Sequence, residues 1–129
     1  MKISKFFLTT LLMFFVACGG PSSPEEIAVE ALKASTKGDV EKLAKYFGIE
    51  KRAKDDSEKT AAKGKLSKVA AGTQNKAEKM GGLKEVKVLE SSDEGEMKIV
   101  KVQMTFGNGE NISENIKLEK IDSEWFIKF

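Results

Sequence analysis

The sequence predicts an α+β domain in which N-terminal helices pack on one face of an antiparallel β-sheet, behind a short leader that is removed. Three observations predict it. Apolar residues recur at three- and four-residue intervals from Pro24 to about Met80, then alternate with polar ones from Leu83 to Phe129. The alternating runs are separated by turns too short for a crossover, so the strands must be antiparallel. Helices gathered before strands place the helices together on one side of the sheet. The chain has 129 residues, 40% hydrophobic and 33% charged, which suits one domain with one core and is too apolar for disorder.

The leader comes first. Lys2 and Lys5 precede an apolar block from Phe6 to Ala17 that is softened only by Thr9 and Thr10. A bilayer-spanning helix needs about 20 such residues, so this block is too short to be a permanent anchor and reads as a secretory signal. Removing Lys2 and Lys5 with it takes the formal charge from +2 to zero. Phe15-Val16-Ala17-Cys18 resembles the lipobox of bacterial lipoproteins, in which an apolar pair and a small residue precede an obligatory Cys. The resemblance implies cleavage between Ala17 and Cys18, a thioether-linked diacylglycerol on Cys18 and acylation of its new amino group. Two or three chains on one residue make attachment durable, since each buried methylene contributes about 0.8 kcal/mol. Cys18 is then a membrane tether in the bacterial cell envelope. Gly19-Gly20-Pro21-Ser22-Ser23 is a flexible spacer, and the absence of Asp at position 19 resembles outer-membrane sorting in bacteria with two membranes. The expected organisation is a leader at 1–17, lipidated Cys and tether at 18–23, and one domain at 24–129.

Ser23-Pro24-Glu25-Glu26 opens the first helix: Ser23 caps, Pro24 suits the first turn and Glu26 completes a capping box. Ile27, Ala28, Ala31, Leu32 and Ser35 form its stripe, and Gly38 ends it. Asp39 caps a second helix with Val40, Leu43, Ala44 and Phe47 on one side, closed by Gly48. Asp55 or Asp56 caps a long third helix with Ala62, Leu66, Val69, Ala70, Ala77 and Met80 on one stripe. Gly64 and Gly72 each cost about 1 kcal/mol relative to Ala, so a break is expected near Gly72-Thr73. Its lysines, with Lys51 and Lys54, read as a solvated face offset by Asp55, Asp56, Glu58 and Glu78; a basic membrane-facing surface is the alternative.

Strands follow Gly81-Gly82. Val86 and Val88 alternate with Glu85 and Lys87 over Leu83 to Ser91, and Asp93-Glu94-Gly95 is the turn. Val100, Val102, Met104 and Phe106 point one way, opposite Ile99, Lys101, Gln103 and Thr105. Gly107-Asn108-Gly109 predicts a tight hairpin with positive φ at Asn-Gly. Ile112, Ile116 and Leu118 share a face of the third strand. Asp122-Ser123 turns into a last strand where Trp125, Ile127 and Phe129 alternate with Phe126 and Lys128. Ile27, Leu32, Leu43 and Phe47 are expected to pack against Val100, Val102, Met104, Ile116, Leu118 and Trp125.

This order of parts resembles the bacterial lipoproteins of domain of unknown function family 4878, on the strength of Ser23-Pro24-Glu25-Glu26, Lys37-Gly38-Asp39 and the terminal Glu124-Trp125-Phe126-Ile127. The resemblance covers about residues 22–48 and 95–129. It implies the cystatin-like, nuclear transport factor 2-like superfamily, whose curved sheet wraps helices into a cone, and it implies no established activity.

Composition narrows the function. No His is present, which removes the commonest acid–base group and zinc ligand, and a single Cys allows neither a disulfide nor a Cys cage. No metal, cofactor or nucleic acid is expected; a nucleic-acid binder needs a clustered basic excess, and here lysines are interleaved with glutamates. Tyr46, Phe47 and Trp125, with Phe126, are candidate pocket-lining residues, although aromatics at these spacings are more often simply core. Glu114, between Ile112 and Ile116, is the one acid on an apolar face, and an edge or bulge position reaching solvent is its simpler reading. The expectation is a non-catalytic envelope module that binds a small apolar ligand or an envelope protein. The alternative is a cone-fold hydrolase or isomerase run by buried carboxylates.

Overall fold

A computed structural model describes residues 23–128. The leader, Ala17 and Cys18 lie outside the described residues. Four helices come first: α1 (Pro24–Lys37), α2 (Val40–Tyr46), α3 (Ile49–Arg52) and α4 (Asp56–Lys79). Four strands follow, β1 (Leu83–Glu94), β2 (Met97–Phe106), β3 (Asn111–Ile121) and β4 (Glu124–Ile127), in one antiparallel sheet of order β1-β2-β3-β4. The fold is α+β, with helices on the sheet as expected.

α1 starts and stops where its sequence says. Ser23 Oγ accepts the Glu26 N–H at 3.2 Å, and Gly38 adopts φ +72° while its N–H reaches back to the last turn. The helix lies between β1, β2 and β4 on one side and α4 on the other. Its apolar stripe therefore widens until Ile27, Ala28, Ala31, Leu32 and Ala34 are all buried. Opposite them Val100, Val102, Met104 and Phe106 of β2 and Leu118 of β3 complete the core. Phe47, Ile116 and Trp125 are half-buried against it. Shifts in the β1–β2 register at Leu83/Glu85 and Val88/Glu90 mark bulges, which bend and twist a strand.

Several local expectations are corrected. α4 is continuous through Gly72-Thr73 and is capped by Asp55, which accepts the Glu58 N–H at 2.9 Å. The cost of two glycines is offset because Leu66, Ala70 and Ala77 are buried and Gln74 donates to the Lys37 carbonyl at 3.3 Å. Val69, assigned to the buried stripe, is 59% exposed. A four-residue helix, α3, was not expected between α2 and α4. β1 runs three residues past Ser91, so the turn falls at Gly95-Glu96. The β2–β3 loop spans residues 107–110; Gly109 takes φ +91°, and Asn108 is not among the positive-φ residues. The loop is wider than an Asn-Gly turn because it docks on the α4–β1 connection, through Gly107 N to Gly82 O and Asn108 N to Met80 O, both 2.8 Å. The two-residue turn with both φ angles positive is instead Asp122-Ser123, at +51° and +71°.

Candidate functional site

A cleft of about 570 Å³ opens where the end of α2, α3 and the first turns of α4 meet β4. Its apolar wall comes from Ile27, Ala44, Ile49, Trp125 and Phe126, and its rim from Glu41, Lys45, Glu50, Lys51, Lys63 and Glu124. The local sequence explains the shape. Gly48 turns α2 into α3 at φ +67°, and the Phe126 ring lies flat against it, so that a β-carbon there would meet the ring at 2.8 Å. Only Gly serves both demands. The turn places Ile49, 2% exposed, at the base of the cleft.

Arg52, the chain's single arginine, fixes the opposite side. Nε donates to the Phe47 carbonyl at 2.6 Å, Nη1 to Glu119 Oε2 at 2.7 Å and Nη2 to the Ile127 carbonyl at 2.8 Å. A planar fork reaches three acceptors at once, at the C-cap of α2, on β3 and on β4, which an ammonium does not. The cleft therefore has one wall pinned to the sheet. Its rim is charge-balanced: Lys51 lies 3.5 Å from both Asp122 and Glu124, Lys63 is 3.4 Å from Glu41, and Lys59 is 2.9 Å from Glu50. The bond from Lys59 holds the Glu50 carboxyl below its ordinary range and raises the Lys59 ammonium in turn.

The four aromatic candidates divide. Tyr46 and Trp125 line the cleft, while Phe47 is half-buried against the core and is not part of the lining. Tyr46 is 8% exposed, and its phenol is held above its usual pKa by burial first, then by Glu30 and Asp39. Trp125 has Lys120 Nζ 5.3 Å from its ring centroid, a cation–π contact. Phe126, the fourth aromatic candidate, also lines the cleft. Ile49 and Arg52 were not singled out from sequence; Gly48 followed by an apolar residue was the only local signal for Ile49. Glu114 lies opposite Val102 in the register, on the inner row, yet is exposed. β4 pairs only with Leu118–Ile121, so the half of β3 that carries Glu114 is sheet edge.

No Asp or Glu among the described residues is buried. Among the described residues no group of three His, Cys, Asp or Glu could hold a metal ion, and no helix is long and apolar enough to cross a membrane. Chemically the cleft offers an apolar wall, paired charges and two hydroxyls, those of Tyr46 and Ser123.

The chain matches the model of a family described as domain of unknown function (DUF4878) over residues 16–128. No curated protein matches it. A solved structure from Campylobacter jejuni, described as a candidate NTF2-like transpeptidase, is 31% identical with a TM-score of 0.75, covering 84% of this chain and 99% of that one. A SEC-C motif containing protein from Rhodopseudomonas palustris is 16% identical with a TM-score of 0.52, over 89% of this chain and 82% of that one.

Proposed function

Because the chain belongs to the DUF4878 family and has an NTF2-like fold, we propose that it is a lipid-anchored envelope module that binds a small apolar molecule in the α2–α3–β4 cleft. The observation that carries this reading is the cleft itself, an aromatic and aliphatic wall behind a rim on which Lys51, Lys63, Glu41, Glu50 and Glu124 are already paired. Such a site draws affinity from apolar burial and uses its few polar groups to orient the ligand. No buried carboxylate or His stands ready for proton transfer there, which favours binding over turnover. The anchor is supported by Cys18 following Ala17 at the end of the leader, and by the family match starting at Val16, so that Cys18 lies inside it.

Trp125, the chain's one tryptophan, reports on the cleft. Native mass spectrometry of protein from its host should find a co-purifying small molecule, and its removal and return should change Trp125 emission. Ile49→Ala should weaken its retention. Retention that is unchanged by Ile49→Ala would contradict the cleft as the site.

One observation favours a second reading, the transpeptidase description of the Campylobacter jejuni relative. Acyl transfer needs a nucleophile, and Ser123 is the aliphatic hydroxyl on the cleft wall. Ser123 Oγ would then bond to the carbonyl carbon of a substrate peptide as its C–N bond breaks and the hydroxyl proton leaves with the departing amine, giving an acyl ester on Ser123 that is detectable by mass and absent from Ser123→Ala.

A further inference from the structure

The outward face of α4 differs from the rest of the surface. Lys65, Lys68, Gly72, Lys76 and Lys79 follow one another at intervals of three and four residues, so they share one stripe of the helix. All are exposed, as are Ala61 before them and Val69 beside them. The opposite stripe of Leu66, Ala70 and Ala77 is buried in the core. The acids that offset these lysines along the sequence do not offset them in space. Asp55 caps the helix, and Asp56 and Glu58 occupy its first turn. Glu78 lies about 100° around the helix from Lys79. Lys59 and Lys63, on the cleft side, pair with Glu50 and Glu41, and Lys51, Lys98 and Lys117 also face acids. Among the described residues, Lys65, Lys68, Lys76 and Lys79 form no ion pair. A domain of zero formal charge thus concentrates four unpaired lysines on one helix face.

The chain that precedes the described residues says what covers this face. Four residues lie between Cys18 and Ser23, so five residue steps join them, a reach of at most about 17 Å. α1 begins at Pro24 and packs directly on α4, and packed helix axes lie about 8–10 Å apart. A bilayer that holds Cys18 is therefore within reach of the outer side of α4. We propose that the Lys65–Lys79 face of α4 docks on anionic phospholipid headgroups of the membrane to which Cys18 is tethered. This rests on the anchor proposed above. Ala61 and Gly72 let the helix backbone approach the headgroups, and exposed Val69 enters the interface between them. Each lysine near an anionic surface strengthens binding about fivefold, and salt screens the effect. The lipid supplies attachment; the basic face supplies orientation, and so fixes how the cleft sits above the membrane.

The test uses the full chain purified from its host, with an environment-sensitive fluorophore on Gly72→Cys. A β-carbon at position 72 meets nothing within 4 Å beyond its own helix backbone, and the position is exposed, so the label reports on what lies outside the protein. The protein is mixed with vesicles of phosphatidylcholine alone, or of phosphatidylcholine with phosphatidylglycerol. The label should shift to the blue only on the anionic vesicles. The shift should vanish at high salt and in the Lys65→Glu, Lys68→Glu, Lys76→Glu, Lys79→Glu variant, or in the four Lys→Gln substitutions should the first variant fail to fold. Equal emission on both vesicle types, or a shift that survives the substitutions, would overturn the proposal. A larger shift with a soluble polyanion than with anionic vesicles would also overturn it, in favour of an anionic polymer. Flotation with neutral vesicles reports on the anchor separately: protein that fails to float contradicts the tether, whatever the label does.

Discussion

α1 and α4 lie side by side, and the structure asks opposite things of them. α1, with 14 residues, buries eight of them because the sheet lies on one side and α4 on the other. α4, with 24 residues, buries only Leu66, Ala70 and Ala77. A helix covered on two sides must spend its sequence on packing, so its residues record the fold. One covered on a narrow stripe leaves most of its circumference to solvent or to a partner, and its residues record something else. The lysine stripe of α4 belongs to that second class.

The first way to break this contrast is to truncate one large side chain on each helix. Leu32→Ala should lower stability by about 2–5 kcal/mol, and Leu66→Ala by about 2–3 kcal/mol, read as shifts in thermal midpoint. A larger loss at Leu66 than at Leu32 would mean that α4, not α1, carries the core. Arg52→Met probes the link between the short helices and the sheet. It removes three charge-assisted bonds, to the C-cap of α2, to β3 and to β4, and should cost about 1.5–3 kcal/mol by denaturant titration. Glu119→Gln should cost less, because two carbonyl acceptors remain.

Legibility followed the same division. Ser23, Gly38, Asp39 and the alternation of Val100, Val102, Met104 and Phe106 were readable because each acts locally: a cap, a left-handed residue, a period of two. α4 was misread at Gly72 because propensity counts the cost of glycine and not the packing of Leu66, Ala70 and Ala77 against the core. The cleft was legible only in part. Tyr46, Trp125 and Phe126 stand out as aromatics able to line a pocket mouth, but Phe47 lies on the core side, while Ile49 and Arg52 enter through contacts that sequence order does not display, those of Arg52 reaching residues some 70 positions away. No periodicity encodes such contacts.

Glycine substitutions sharpen the contrast at smaller magnitude. Gly72→Ala should stabilise by about 0.5–1 kcal/mol, since position 72 is helical and open. Gly38→Ala should destabilise by about 1–2 kcal/mol, because φ is +72° and Gln74 Oε1 stands 2.6 Å from the added carbon. Equal signs would show that α4 is not an ordinary solvated helix at its centre.

Tyr46 gives the smallest effect, in alkali. Its phenol is held neutral in the folded chain, above the unfolded pKa near 10. Its contribution is fully present below about pH 10 and is lost as pH rises through the folded value. Denaturation midpoints at rising pH should therefore fall more steeply for the native chain than for Tyr46→Phe. Parallel curves would place the phenol in water.

Attachment through Cys18 underlies both the envelope role and the orientation of the cleft, and the mass of the N-terminal peptide from protein made in its own host measures it directly. The expected peptide begins at Cys18 and carries a diacylglyceryl group on its sulfur, with further acylation of the amino group where the host performs it. A peptide beginning at Met1 with an unmodified Cys18 would contradict it.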